Sequence, residues 1–219
     1  MFAETYPALY RDPQGEVSTT IRNDGKKLRM VLRDVEFIST MFDDWMPTSS
    51  VDALALQSFT LDRGELRGFS LEVDMPIPML FQKEKVQGIL HISFVLGVPT
   101  SNGGTDREIV ALTLNIMNTC FSSQGKSGYF EDELLDLQKQ LPNDVTMQIC
   151  FSCAFSDYSP YGNGLFGCMA CFRGNKQVYL AAQTKRDILD LWDTHTEYVQ
   201  ETYRCDEFEL RKPGTGYRG

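Results

Sequence analysis

The chain has 219 residues, 42% hydrophobic and 23% charged, which is the composition of a soluble globular protein that can bury a sizeable core. Its formal net charge of −9 argues against a nucleic-acid partner, because affinity for nucleic acid comes mainly from Lys and Arg that neutralise phosphates. The first residues lack a secretory signal, and no stretch approaches the roughly 18 apolar residues of a membrane span. We therefore expect a cytoplasmic protein with no membrane partner and, if it has a protein partner, a basic or neutral one. The sequence does not predict an oligomeric state.

Residues 1–120 have the pattern of a β-rich part, in which short strands alternate with turns. Leu28 to Arg33 and Ser70 to Met75 alternate apolar and polar side chains, which predicts strands with one face exposed to water. Asn23-Asp-Gly25 predicts a hairpin turn after the preceding strand. Further strands are predicted at residues 16–22, 88–96 and 109–117. Many short strands with frequent turns favour an antiparallel, β-sandwich-like arrangement.

Residues 121–219 combine helices and strands. Residues 131–141 predict a helix, with leucines on one face and acidic residues in the first turn. A second helix is predicted from Thr184, which forms a cap with Asp187, to about Tyr203. Strands are predicted at residues 145–155 and 165–172. We expect an α+β fold in which the two parts, divided softly near residues 119–128, form one compact unit.

Cysteines are concentrated in the second part. Cys150 and Cys153 form one C-x-x-C pair, and Cys168 and Cys171 form another. Two close pairs of thiolates are typical of a structural zinc site with four sulfur ligands. If residues 165–172 form a regular strand, however, Cys168 and Cys171 point to opposite faces. Cys205, between charged residues, is then the natural fourth ligand, and the choice between Cys168 and Cys205 stays open.

The cysteines also fit two roles without a metal. Free cysteine is a common core residue, so the group can be a reduced packing cluster. A C-x-x-C pair can also carry thiol redox chemistry, although neither pair lies at a predicted helix N-terminus, where the pKa of a thiol would be lowered. A structural zinc ion is the prediction that we adopt.

Three further features could suggest binding or catalysis, but we interpret each of them as structural. Residues 120–127 are similar to a phosphate-binding loop, but Cys120 replaces its first glycine and acidic residues follow, so we do not expect nucleotide binding. His195 lies on the apolar face of its predicted helix and is interpreted as a core histidine rather than a ligand or base. The stretch Phe42-Asp-Asp-Trp45 is interpreted as a turn anchored by tryptophan, with a binding edge for a cation as the alternative.

Several segments together resemble an uncharacterised bacterial family, a domain of unknown function. They are the C-x-x-C pair, SDYSPYGNGLFG from Ser156, Cys171-Phe-Arg173, and VQETYRCDEFE from Val199 followed by PGTGYRG. The resemblance extends to the start of the chain and to the helix after Gly125. It implies that the cysteines of the family motif are Cys150, Cys153, Cys171 and Cys205, without Cys168. Asp206 departs from it, since the family has proline there, and the resemblance brings no activity.

The distinctive loop after Ser156 raises the question of a catalytic pocket. Asp157, Tyr161 and Arg173 are the candidates for its lining, and they would make the protein a hydrolase or transferase. No complete catalytic group can be assembled from the sequence. The leading prediction is therefore a non-enzymatic interaction or accessory protein with a structural zinc site, resembling an immunity protein in that an acidic chain neutralises a partner. The enzyme is the alternative, and a thiol redox protein is the second alternative.

Overall fold

The computed structural model describes residues 3–49, 51–162 and 164–218. Asn163 of the distinctive loop and Gly219 of the last motif lie outside the described residues. The fold is mostly antiparallel β-sheet with few helices, which confirms the predicted α+β class at that level. Among the described residues, no helix is both long enough and apolar enough to cross a membrane.

Within those three ranges the chain forms fifteen strands and four helices. The strands are β1 (Glu4–Asp12), β2 (Gly15–Asn23), β3 (Leu28–Leu32), β4 (Val35–Ser39), β5 (Met46–Pro47), β6 (Thr60–Asp62), β7 (Glu65–Arg67), β8 (Phe69–Phe81), β9 (Glu84–Leu96), β10 (Glu108–Ile116), β11 (Thr119–Ser122), β12 (Val145–Met147), β13 (Ser156–Asp157), β14 (Met169–Cys171) and β15 (Glu197–Val199). The helices are α1 (Ala53–Leu56), α2 (Phe130–Gln140), α3 (Lys176–Ala181) and α4 (Lys185–Asp190).

The chain divides into two units, Met1–Pro76 with Gly88–Leu141, and Ile77–Gln87 with Pro142–Gly219. The first unit holds residues 69–76 of β8 and residues 88–96 of β9 together with seven other strands, in one sheet of order β11-β10-β9-β8-β1-β2-β3-β4-β5. The predicted β-sandwich-like arrangement would have divided these strands between two sheets. Helix α2 belongs to the first unit, whereas the sequence grouped it with the cysteine-containing part.

Alternation of side chains explains the long strands of this sheet. In β8 the apolar side chains at positions 69, 71, 73 and 75 are buried, and the side chains between them are at least partly exposed. Successive side chains of a strand point to opposite faces, so this spacing gives the sheet one apolar face. The hairpin predicted at Asn23-Asp-Gly25 joins β2 to β3, with Asn23 opposite Leu28. Gly25 has φ +90°, a conformation that favours glycine.

The second unit is built from short elements. Strand β12 pairs with the end of β8, with Met147 opposite Met79. Strands β13, β14 and β15 form a separate antiparallel sheet. The aromatic rings of Phe172 and Tyr179 stack with their centroids 4.7 Å apart in an apolar cluster beside α3 and α4. Such stacking adds to the burial that stabilises this unit.

Several elements predicted in this unit are shorter in the structure than the sequence indicated. The helix predicted from Thr184 to about Tyr203 has the expected cap, in which Thr184 and Asp187 bond reciprocally, but it ends at Asp190. A 3₁₀ turn follows, and residues 197–199 form β15 because they pair with β14. The strand predicted at residues 165–172 is only the three residues of β14.

Candidate metal centre

Cys150 begins a 3₁₀ turn, Cys150–Ser152, and Cys153 follows that turn directly, so neither lies on the strand predicted at residues 145–155. The N–H of Cys150 donates to the carbonyl of Tyr203 at 2.6 Å, and the N–H of Phe151 donates to the carbonyl of Glu201 at 3.0 Å. These hydrogen bonds to a distant segment satisfy backbone N–H groups that, in a strand, would bond to a neighbouring strand. Both cysteines are buried. The turn therefore holds the first pair against residues 201–203.

Cys171 and Cys205 come from two other segments. Cys171 ends β14 and is buried, with its carbonyl accepting from the N–H of Thr196 at 2.7 Å. Cys205 follows β15 by six residues and is half-buried. The same stretch that bonds to the 3₁₀ turn thus continues directly into Cys205.

The four thiols interact electrostatically. Burial raises the pKa of Cys150 well above its ordinary value, and the charges of Cys153, Cys171 and Cys205 raise it further. Burial also raises the pKa of Cys171, to which Cys153 and Cys205 contribute. Like charges in one buried neighbourhood disfavour ionisation unless a cation offsets them. Across the described residues, however, no three or more His, Cys, Asp or Glu side chains are placed in a group that could hold a metal ion.

Cys168 has different surroundings. Its sulfur accepts from the N–H of Gly164 at 3.2 Å and donates to Oε1 of Glu201 at 3.8 Å. Burial, followed by the charge of Glu201, raises the pKa of the Cys168 thiol to about 12. The side chain of Cys168 is therefore hydrogen-bonded to the distinctive loop and to Glu201.

Glu201 is the residue that the sequence did not single out. Its carboxylate is fully buried and accepts from the hydroxyl of Tyr158 at 3.1 Å and from the N–H of Gly167 at 2.6 Å. Both ends of the distinctive loop are thereby tied to one side chain. The sole signal in the sequence was its position within the VQET motif, because a buried carboxylate cannot be recognised from composition.

Asp157, Tyr161 and Arg173 each have a different set of partners. Asp157 is 1% exposed and accepts from the hydroxyl of Tyr179 at 2.9 Å. Tyr161 is 78% exposed, with the ammonium of Lys185 4.8 Å from its ring centroid. Arg173 forms an ion pair with the carboxylate of Glu197. The three predicted catalytic residues thus have three separate surroundings.

The other residues singled out in the sequence have structural roles. Nδ1 of His195 lies 2.7 Å from the carbonyl of Trp192, and its ring is half-buried 4.6 Å from that of Tyr198. Trp45 is fully buried in its turn. Backbone amides of the phosphate-loop-like stretch bond to the carboxylate of Glu133. That stretch is thus closed by the chain itself.

Comparison with known proteins decides the family. The model of a family of unknown function, DUF6304, matches residues 4–156, well over half of the chain. The chain belongs to this family. The matched region contains Cys150 and Cys153 and ends before Cys171 and Cys205. A search of curated proteins and a search of solved structures each found no match.

Proposed function

We propose that Cys150, Cys153, Cys171 and Cys205 bind one Zn²⁺ and that Cys168 is not a ligand. The observation that carries this proposal is that the charges of the other three thiols raise the pKa of buried Cys150, and that those of Cys153 and Cys205 raise the pKa of buried Cys171. Three separate chain segments supply them. Cys168 instead bonds to the loop and to Glu201.

The donor set fits zinc. Thiolates are ligands that Zn²⁺ prefers, and four protein ligands leave no open position for a substrate, so such a site is structural. A bound Zn²⁺ would reverse the electrostatic penalty that raises the pKa of Cys150, because the cation favours thiolates. It would join the 3₁₀ turn, the end of β14 and the stretch after β15. A cytoplasmic location, where thiols stay reduced, suits this role.

We infer a non-enzymatic role, as an interaction or accessory protein of the immunity-like kind that neutralises a basic or neutral partner. The net charge of −9 supports this inference, as do the separate engagements of Asp157, Tyr161 and Arg173. The elevated pKa values of Cys150 and Cys168 weigh against thiol redox chemistry, which needs an exposed thiolate.

Metal content tests the proposed site. The chain, purified without added metal, is expected to carry one zinc per molecule by elemental analysis. Cys168→Ser is the matched control and should keep that zinc, whereas Cys171→Ser and Cys205→Ser should lose most of it. Wild-type protein without metal that also fails to bind added Zn²⁺ would sink the site. Loss of zinc in Cys168→Ser, with retention in Cys205→Ser, would assign the fourth ligand to Cys168.

A charge-based partner is tested with a short oligolysine peptide as the probe. Calorimetric titration at low salt is expected to show saturable binding that disappears at high salt, because screening removes attraction between exposed charges. The oligoglutamate peptide of equal length should not bind. Equal or absent binding of the two peptides at low salt would remove charge as the basis of recognition.

A further inference from the structure

Arg173 lies beside the sulfur of a proposed ligand. Its Nη1 atom is 3.9 Å from the sulfur of Cys171, two residues earlier in the chain. The same guanidinium pairs with the carboxylate of Glu197. Glu197 stands directly opposite Cys171 in the pairing of β14 with β15. The side chain of Arg173 is therefore held at the sulfur by the register of two strands.

The charge of Arg173 acts on more than one thiol. Burial raises the pKa of Cys171, whereas the backbone N–H of Arg173 and, separately, the positive charge of its side chain lower it. The pKa of Arg173 is raised, first by its bond to Glu197 and then by the negative charges of Cys171 and Cys205. The guanidinium thus interacts with proposed ligands from two chain segments.

A tetrathiolate zinc site has excess negative charge. Four thiolates and one Zn²⁺ leave a net charge of −2, and a largely buried site gains from a nearby cation that offsets it. A donor to a ligand sulfur also fixes the orientation of that ligand, as outer partners do in other metal sites. Arginine suits this position because its planar fork can bond a carboxylate and a sulfur together.

We propose that Arg173 is a positioning residue of the zinc site, where it orients Cys171 and offsets the charge of the thiolates. The inference rests on the proposed function. Arg173, considered in the sequence for a catalytic pocket, then serves metal affinity. Glu197 holds the guanidinium in place from the opposite strand.

The test measures zinc affinity by competition with a chromophoric chelator. Arg173→Gln is expected to weaken zinc binding about 10-fold to 100-fold, the usual effect of removing an outer partner of a ligand. Arg173→Lys retains the charge and should recover part of the loss. Arg204→Gln is the matched control, because Arg204 adjoins Cys205 in the chain but has its guanidinium over the ring of Phe208. It should bind zinc as the wild type does.

Cobalt substitution supplies a second readout. Loss of a hydrogen bond to sulfur raises the energy of the sulfur lone pair, so the sulfur-to-Co²⁺ charge-transfer band of Arg173→Gln should move to longer wavelength. An unchanged band with unchanged zinc affinity would overturn the role of Arg173 while leaving the zinc site intact. Wild-type protein that binds neither metal would overturn the proposed function itself.

Folding of the variant separates a role at the metal from a role in the ion pair alone. If Arg173→Gln is unfolded in low zinc, saturating zinc should restore its circular dichroism, because binding to the folded state stabilises that state. Failure to fold at saturating zinc would assign Arg173 to its ion pair with Glu197 alone and overturn the inference.

Discussion

The carboxylate of Glu133 accepts two hydrogen bonds from Ser127, one from the backbone N–H at 3.0 Å and one from the hydroxyl at 2.8 Å. The N–H groups of Gly125 and Lys126 donate to the same carboxylate at 2.7 and 3.0 Å. Glu133 is 3% exposed. A side chain of the first unit thus fills the concave backbone that a phosphate would occupy in a phosphate-binding loop.

Glu133→Gln is expected to destabilise the protein by about 2–3 kcal/mol, since bonds from amides to a buried charged acceptor are lost. The NH₂ group of the new glutamine would also face the backbone N–H groups of residues 125–127, so that hydrogen-bond donors face donors. Urea unfolding followed by circular dichroism measures the change. Asp136→Asn is the control, because its carboxylate receives one exposed bond, from the N–H of Gln124, and should change stability far less. Equal effects of the two substitutions would contradict the role of Glu133.

The contribution of Glu133 should depend on pH. Burial raises its pKa, but hydrogen bonds from Ser123, Ser127 and Gly125 outweigh burial, and the net pKa lies below the ordinary value. A carboxyl whose pKa is lowered by folding stabilises the folded state above its unfolded pKa, near 4.5, and loses that contribution as pH falls through the folded pKa. The stability difference between wild type and Glu133→Gln should therefore shrink as pH falls from about 5 towards about 3. A difference that is constant across this range would refute the ionised state.

Asp43 has the opposite dependence on pH. Burial is the main reason that its pKa is raised to about 6, and the charges of Asp44 and Glu108 add to it. Its Oδ1 atom is buried with no hydrogen-bond partner among the described residues. A carboxyl whose pKa is raised by folding destabilises the folded state progressively as pH rises from about 4 past 6. The free energy of unfolding of Asp43→Asn relative to wild type should therefore rise by about 2 kcal/mol as the pH is raised from about 4 to about 7.

Carbon NMR of the Asp43 carboxyl measures the same property directly. The titration midpoint should lie near 6. Arg67→Gln should move that midpoint upwards, because the charge of Arg67 lowers the pKa of Asp43. A wild-type midpoint at or below the ordinary value of 3.8 would refute the buried environment.

Tyr179 carries a buried hydroxyl in the second unit. It donates to Asp157 Oδ2 at 2.9 Å and accepts from the guanidinium of Arg211 at 3.1 Å. Tyr179→Phe should cost about 1–3 kcal/mol, because a buried carboxylate and a guanidinium each lose a partner. Tyr198→Phe is the matched control at an exposed tyrosine and should stay within about 0.5 kcal/mol of wild type. Thermal unfolding of both variants measures these changes. Unchanged stability in Tyr179→Phe would contradict a stabilising role for the hydrogen bonds of the Tyr179 hydroxyl.

Elements with a local pattern were predictable from the order of the amino acids alone. Helix α2 begins and ends within one residue of the predicted range, because its leucines repeat with the helical period. The strands of the first unit follow the two-residue alternation, and the cap formed by Thr184 and Asp187 needs only neighbouring residues.

Elements that depend on distant partners could be recognised only in the folded chain. Residues 197–199 became a strand because β14 lies beside them, although their own period predicted a helix. Residues 150–152 form a 3₁₀ turn because the carbonyls of Tyr203 and Glu201 accept hydrogen bonds from the N–H groups of Cys150 and Phe151. The different surroundings of Cys168 follow from its bonds to Gly164 and Glu201. Spacing in the sequence identified the candidate sulfurs, and backbone pairing between distant segments brought Cys150 within electrostatic reach of Cys171 and Cys205.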